Sequence, residues 1–160
     1  MIRVGQGFDL HRLESGDGIT LGGLWIPCEY RLVAHSDGDV VLHALMDAML
    51  GALALGDIGQ LFPDTDPTYR GADSAELMRV VRARCLDKGF TPYNLDLTIL
   101  AERPKIAPVR DAMRQCVADL MSMPLDRVSV KATTTERLGF IGRGEAIAVM
   151  ANCLMHSHEG

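Results

Sequence analysis

Ala146-Ile147-Ala148-Val149-Met150-Ala151-Asn152-Cys153-Leu154 is apolar at odd and even positions alike. Alternate residues of a strand face opposite sides, so this strand must be covered on both. Helices supply one cover, and another subunit can supply the other. Upstream, Val128 to Thr133 reads as a strand, as does Leu95 to Ala101, where Leu95, Leu97 and Ile99 alternate with Asp96, Thr98 and Leu100. Ile2 to Leu10 alternates loosely and is the first strand. Ile19-Thr20-Leu21 and Leu24-Trp25-Ile26 flank Gly22-Gly23 as a hairpin.

Three helices lie between these strands. The first runs from Ser36 to about Leu53, with Ser36 as the expected cap and Asp39 completing a weak capping box. The second starts at Asp73 or Ser74 and ends at Lys88-Gly89, with Leu77, Val80, Val81 and Cys85 as its apolar stripe. The third is opened by Pro108 and runs to about Met121, carrying Val109, Met113, Cys116, Val117 and Leu120 on one face. Gly56 to Ala72 reads as loop, dominated by Gly, Pro and Asp. This order predicts an α/β (α+β) two-layer sandwich, with a mixed β-sheet and the three main helices on one face.

The chain has 160 residues, which predicts one domain over 1–160. Its net charge is -5, which argues against broad nucleic-acid binding but leaves room for a local anion site. Cys28, Cys85, Cys116 and Cys153 form no CxxC pair, and their scatter suits buried thiols of a reducing compartment. Met1 to Leu10 lacks the apolar core of a signal peptide. The apolar run Val40 to Gly56 is broken by His43 and Asp47 and falls short of the ~20 residues a membrane span needs. A cytoplasmic location without membrane contact is expected.

Asp9 and His11 fall on one face of the first strand and present an oxygen beside a nitrogen. His43 sits in an apolar helix, where it is either a core histidine or a third ligand. Asp47 lies one turn on and is the expected orienting carboxylate, or else a surface ion-pair partner. Asp9, His11 and His43 together would leave one open position, the pattern of a catalytic zinc. His35-Ser36-Asp37-Gly38-Asp39 sits where helix amides favour an anion, with His35 as donor. In Lys131-Ala132-Thr133-Thr134-Thr135-Glu136, hydroxyls can grip a diphosphate and Glu136 can hold Mg²⁺, although a Thr run equally suits a plain strand. Arg143 offers a bidentate anion grip or a structural pair with Glu145. Asp57-Ile58-Gly59 and Phe62-Pro63-Asp64-Thr65-Asp66 bring carboxylates that either bind a polyol or cap turns.

Taken in order, Gly5 to His11, His35 to Asp39, Gly56 to Gly59, Phe62 to Asp66, Lys131 to Glu136 and Gly142 to Glu145 resemble the 2-C-methyl-D-erythritol 2,4-cyclodiphosphate synthase family. The match spans nearly the whole chain. The resemblance implies a phosphorus–oxygen lyase of the non-mevalonate (MEP) isoprenoid pathway. It would convert 4-diphosphocytidyl-2-C-methyl-D-erythritol 2-phosphate to the cyclic diphosphate and CMP. It implies Zn²⁺, or another divalent transition metal, on Asp9, His11 and His43, and Mg²⁺ or Mn²⁺ on Glu136. His35 and Thr134 match the positions taken to stabilise the transition state. Asp9, His11, Ser36, Asp57, Ile58, Gly59 and Phe62-Pro63-Asp64-Thr65-Asp66 would contact the methylerythritol phosphate. Ala101, Lys105, Ile106 and Ala107, with Thr133, Thr134, Thr135 and Glu136, would hold the nucleotide diphosphate. The resemblance further implies a homotrimer with its sheets packed together and its sites between subunits. Phe8, Phe140, Arg143 and Glu145 would line an axial cavity that takes an isoprenoid diphosphate. Ala146 stands where the family often has Gly, for a small expected change in packing. His156 and His158 match no motif and are expected to bind metal adventitiously, if at all.

Overall fold

The computed structural model describes residues 1–157. Its main sheet has five strands in the order β4-β1-β7-β5-β6: β1 (Ile2–Ser15), β4 (Tyr30–Val33), β5 (Phe90–Leu100), β6 (Val128–Thr133) and β7 (Ala146–Ser157). β1 runs antiparallel to β4 and β7, and β7 antiparallel to β5. β5 and β6 are parallel, so the sheet is mixed. β2 (Gly18–Leu21) and β3 (Leu24–Pro27) form a separate hairpin. The helices are α1 (Val40–Ala52), α2 (Ile58–Leu61), α3 (Ser74–Asp87), α4 (Arg110–Met121) and α5 (Gly139–Gly142).

β7 is the central strand, and its burial explains its composition. Ile147, Val149, Ala151, Cys153 and Met155 point into the core under α1. On the opposite face Ile2, Val4, Phe8 and Met150 are 66%, 70%, 55% and 39% exposed. Burying such a row gains roughly 25 cal/mol per Å², so this face is built to be covered.

Several expectations shift. The first and last strands and β5 are longer than their apolar cores, because ladder pairing carries polar residues along. β4, α2 and α5 are too short for their periodicity to stand out. α1 is capped by Asp39, not Ser36. α3 buries Met78, Val81 and Cys85, while Val80 is 46% exposed and Leu77 turns to a cleft. α4 starts at Arg110 and buries Met113, Val117, Ala118 and Met121. Cys85 and Cys153 are buried, which pushes their thiols up to about 11 and about 12, whereas Cys28 and Cys116 are only partly covered. Ala146 is buried within β7. His156 Nε2 lies 3.1 Å from Thr91 Oγ1; His158 is outside the described residues.

Candidate functional site

Gly5, Gly7, Asp9, His11 and Leu13 share the inner face of β1. At Gly5 and Gly7 a Cβ would lie 1.8 Å from the Ala48 carbonyl oxygen and 1.9 Å from that of Ala44. Without side chains there, α1 rests backbone to backbone on β1. Its His43, next to Ala44, is thereby brought beside Asp9, two residues past Gly7. Asp9 Oδ2 lies 3.2 Å from His43 Nδ1 and 3.0 Å from His11 Nε2. The two imidazoles meet edge to face at 5.0 Å.

Surrounding groups set which nitrogen faces inward. His11 Nδ1 is 3.0 Å from the Gly38 carbonyl oxygen, which can only accept. In the neutral ring Nδ1–H therefore donates, and the Nε2 lone pair faces Asp9. His43 Nε2 lies 2.9 Å from Ser74 Oγ and 3.1 Å from Ser36 Oγ, leaving Nδ1 toward Asp9. Asp9 Oδ2 is buried without a hydrogen-bond donor. One ligand atom from each residue lies within 4.8 Å of the others. Burial opposes charge on Asp9, yet hydrogen bonds and charge from His11 and His43, in the protonated form that a metal would displace, hold its carboxyl far below the usual range. Burial likewise pulls His11 down, but Asp9 keeps it above its ordinary value. Two imidazole nitrogens and an orphaned carboxylate oxygen, converging from a strand and a helix, fit a divalent transition metal with one side open.

Three expectations change here. Asp47 does not orient His43: both ring nitrogens already face Asp9, Ser36 and Ser74, and Asp47 Oδ1 instead accepts the Ile58 N–H at 2.8 Å. Ser36 is not the helix cap, because its hydroxyl lies at His43 and accepts the Gly38 N–H at 3.2 Å. The α1 N-terminus is not open to an anion. Asp39 closes it, accepting from Leu42 N, Gly22 N and Gly23 N at 3.0, 2.9 and 2.7 Å. Burial nevertheless pushes this carboxyl up to about 6.

The metal-ligand group opens into a cleft of about 360 Å³. His35, Ser36, Ile58, Gly59, Phe62 and Asp64 also line it, as do Tyr69 and Leu77, neither of which was marked as a site residue in the sequence. His35 Nε2 is buried and unpartnered. Asp57, Pro63, Thr65 and Asp66 do not line the cleft. Asp57 caps α2 through both oxygens, to Gln60 N and Nε2, and Asp66 caps the short 3₁₀ turn Pro67–Tyr69.

The nucleotide-facing residues stand elsewhere. Thr133 ends β6 and Thr134 to Glu136 follow it, and none of them lines this cleft. Glu102 Oε1 accepts Thr135 N and Arg137 N at 3.3 and 3.0 Å. That carboxylate braces a turn in which Glu136 and Arg137 both have positive φ, 53° and 63°, a conformation costly for side chains. Lys105 and Arg143 line a second cavity of about 470 Å³ together with Tyr30, Glu102, Arg103 and Arg137. Arg143 also pairs with Glu145 at 2.7 Å. Ala101 and Ile106 are 7% and 4% exposed and pack into the core; Ala107 is exposed. Phe140 on α5 is 47% exposed. Glu102, Arg103 and Arg137 were legible only as charges in loops.

The model of the YgbB family matches residues 2–156. The chain belongs to the YgbB family. It is 56% identical over 156 residues to the 2-C-methyl-D-erythritol 2,4-cyclodiphosphate synthase of Marinobacter nauticus, covering 98% of each chain. Among solved structures, it is similar to a 2C-methyl-D-erythritol-2,4-cyclodiphosphate synthase in a CDP-bound form. That match has TM-score 0.89 and 40% identity, over 96% of this chain and all (100%) of that one. The bifunctional IspDF of Campylobacter jejuni matches with TM-score 0.94 and 41% identity over 98% of this chain, which spans 42% of that longer one. The five-stranded mixed sheet and its helices are thus the architecture of this YgbB group.

Proposed function

We propose that this protein converts 4-diphosphocytidyl-2-C-methyl-D-erythritol 2-phosphate to 2-C-methyl-D-erythritol 2,4-cyclodiphosphate and CMP, as a phosphorus–oxygen lyase of the MEP pathway. An oxygen of the 2-phosphate bonds to the β-phosphorus. The bond from that phosphorus to the bridging oxygen breaks, and CMP leaves with that oxygen. The nucleophile is already anionic, so the task is to overcome repulsion and to orient two tethered groups. The observation that carries the reading is the convergence of Asp9, His11 and His43 around one orphaned oxygen at the floor of a cleft.

Zn²⁺ or another divalent transition metal on Asp9, His11 and His43, with Mg²⁺ or Mn²⁺ on Glu136, supplies positive charge to the phosphates and polarises their oxygens. His35, with its buried unpartnered nitrogen, donates to the developing charge, and Thr134 does so from the other side. Ser36, whose oxygen already accepts from Gly38 N, turns its O–H to the substrate. Ile58, Phe62 and Leu77 give the cleft apolar walls that limit water and so disfavour hydrolysis. Lys105, with Arg103 and Arg137, attracts the nucleotide diphosphate, and Thr133, Thr135, Glu136 and Ala107 complete that half. Asp57, Gly59 and Asp64 hold the methylerythritol phosphate beside Pro63, Thr65 and Asp66.

These halves lie apart within one chain, and the uncovered apolar sheet face supports a homotrimer that joins them across subunits. Phe8, Phe140, Arg143 and Glu145 are assigned to an axial cavity for an isoprenoid diphosphate. No helix among the described residues is long and apolar enough to cross a membrane; we assign the protein, as one synthase domain, to the cytoplasm.

The test is incubation of purified protein with the substrate, with and without chelator, and product identification by mass spectrometry. Equimolar CMP and cyclic diphosphate, lost on chelation and lost in His43→Gln, is the expected result. CMP with a linear bisphosphate would replace the cyclase by a hydrolase, and absence of turnover would reject the reading.

A further inference from the structure

His43 Nε2 touches two hydroxyls, and only one of them has its proton committed. Asp37 is exposed, and its carboxylate accepts. Its Oδ2 takes the Ser74 N–H at 3.0 Å and its Oδ1 takes the Ser74 hydroxyl at 2.5 Å. Oδ1 also takes the Asp39 N–H at 3.1 Å. With its proton spent on Asp37, Ser74 Oγ can only accept at its other contact, 2.9 Å away at His43 Nε2. Nε2 must therefore carry the hydrogen, and in the neutral, metal-binding ring Nδ1, facing Asp9 Oδ2, has the lone pair. Ser36 cannot impose this choice. Its proton is uncommitted, so it can donate to Nε2 or accept from it with equal ease. Ser74 is wholly buried, so no water replaces it.

We propose that Ser74 and Asp37 are positioning residues: a carboxylate–hydroxyl relay that locks His43 in its Nε2–H tautomer and so aims Nδ1 at the metal. This rests on the metal reading above. Loss of such an outer partner typically weakens metal affinity about 10–100-fold. A second variant attacks the same device differently. Asp37→Ala removes the acceptor, and the freed Ser74 proton can then turn toward Nε2 and reverse the tautomer.

Two readouts test it on the full-length protein. Long-range ¹H–¹⁵N NMR of the metal-free protein reports the His43 tautomer, and competition with a chromophoric chelator reports Zn²⁺ affinity. Wild type should show Nε2–H. Ser74→Ala should mix the tautomers and lose about 10–100-fold in affinity. Asp37→Ala should move both readouts in the same direction, and Ser74→Thr, which keeps the hydroxyl, should stay near wild type. Ser74→Ala should remain folded, because α3 is capped by Asp73, which accepts the Ala75 N–H at 2.8 Å. An unchanged tautomer in Ser74→Ala and Asp37→Ala would overturn the relay. Wild type that fails to bind Zn²⁺ would instead overturn the metal reading, while the tautomer measurement still decides the relay.

Discussion

Gly7 presses its bare Cα against the Ala44 carbonyl, where a Cβ would stand only 1.9 Å away. That contact sets the height of His43 above Asp9, so stability and metal geometry share one cause. Gly7→Ala should force α1 from β1 at a cost of about 1–3 kcal/mol. It should lower Tm by about 3–10 °C and weaken metal binding together. Calorimetry and metal titration of one sample would check both, and lost stability with intact affinity would separate them.

The metal-free and metal-loaded proteins should respond oppositely to pH. His11 is held above its ordinary 6.5 against its burial by Asp9. A raised histidine contributes stability below its unfolded value and loses it as pH rises through the folded one. Metal-free protein should therefore melt at lower temperature as pH is raised from about 6 to 8. Zn²⁺ needs deprotonated nitrogens, so its stabilising effect should grow over the same range. Thermal melts with chelator and with Zn²⁺ measure this.

Glu102 supports Thr134 and Glu136 only through backbone N–H groups of their turn. Glu102→Ala should lower turnover about 5–30-fold, the equivalent of 1–2 kcal/mol. Glu102→Gln keeps the accepting oxygen and should recover most of the loss. Steady-state kinetics of the pair would decide; equal losses would point to the charge instead.

Val4, 70% exposed on the uncovered sheet face, should tolerate charge in a monomer and resist it in an assembly. Val4→Asp should shift the mass measured by light scattering toward one chain and abolish turnover with the shift. An unchanged mass would remove that face from the interface.

Much of this was legible because periodicity and spacing are local. Asp9 and His11 share a face by strand geometry, and His43 stood out as polar in an apolar helix. Asp47 was misread for the same reason: helical spacing put it near His43, but the ring had both nitrogens taken by residues distant in sequence. Ser74 lies 31 positions from His43 and carries no local signal. Ser36 looked like a cap because capping is short-range chemistry; Asp39 takes that role through the Leu42 N–H, held in place by the Gly22 and Gly23 amides of a hairpin that only folding brings near. Ile106 sat in a motif, yet its side chain went to the core, since a loop needs anchors as well as contacts.

The metal-ligand cleft and the Thr133 to Glu136 turn stand apart on the same chain. If each working site borrows one half from a neighbour, a gene copy broken at His43 and another broken at Thr134 are not equally hopeless together. Assemblies of mixed parentage would contain junctions where two sound halves meet, and a cell carrying both defective alleles would grow where neither alone suffices.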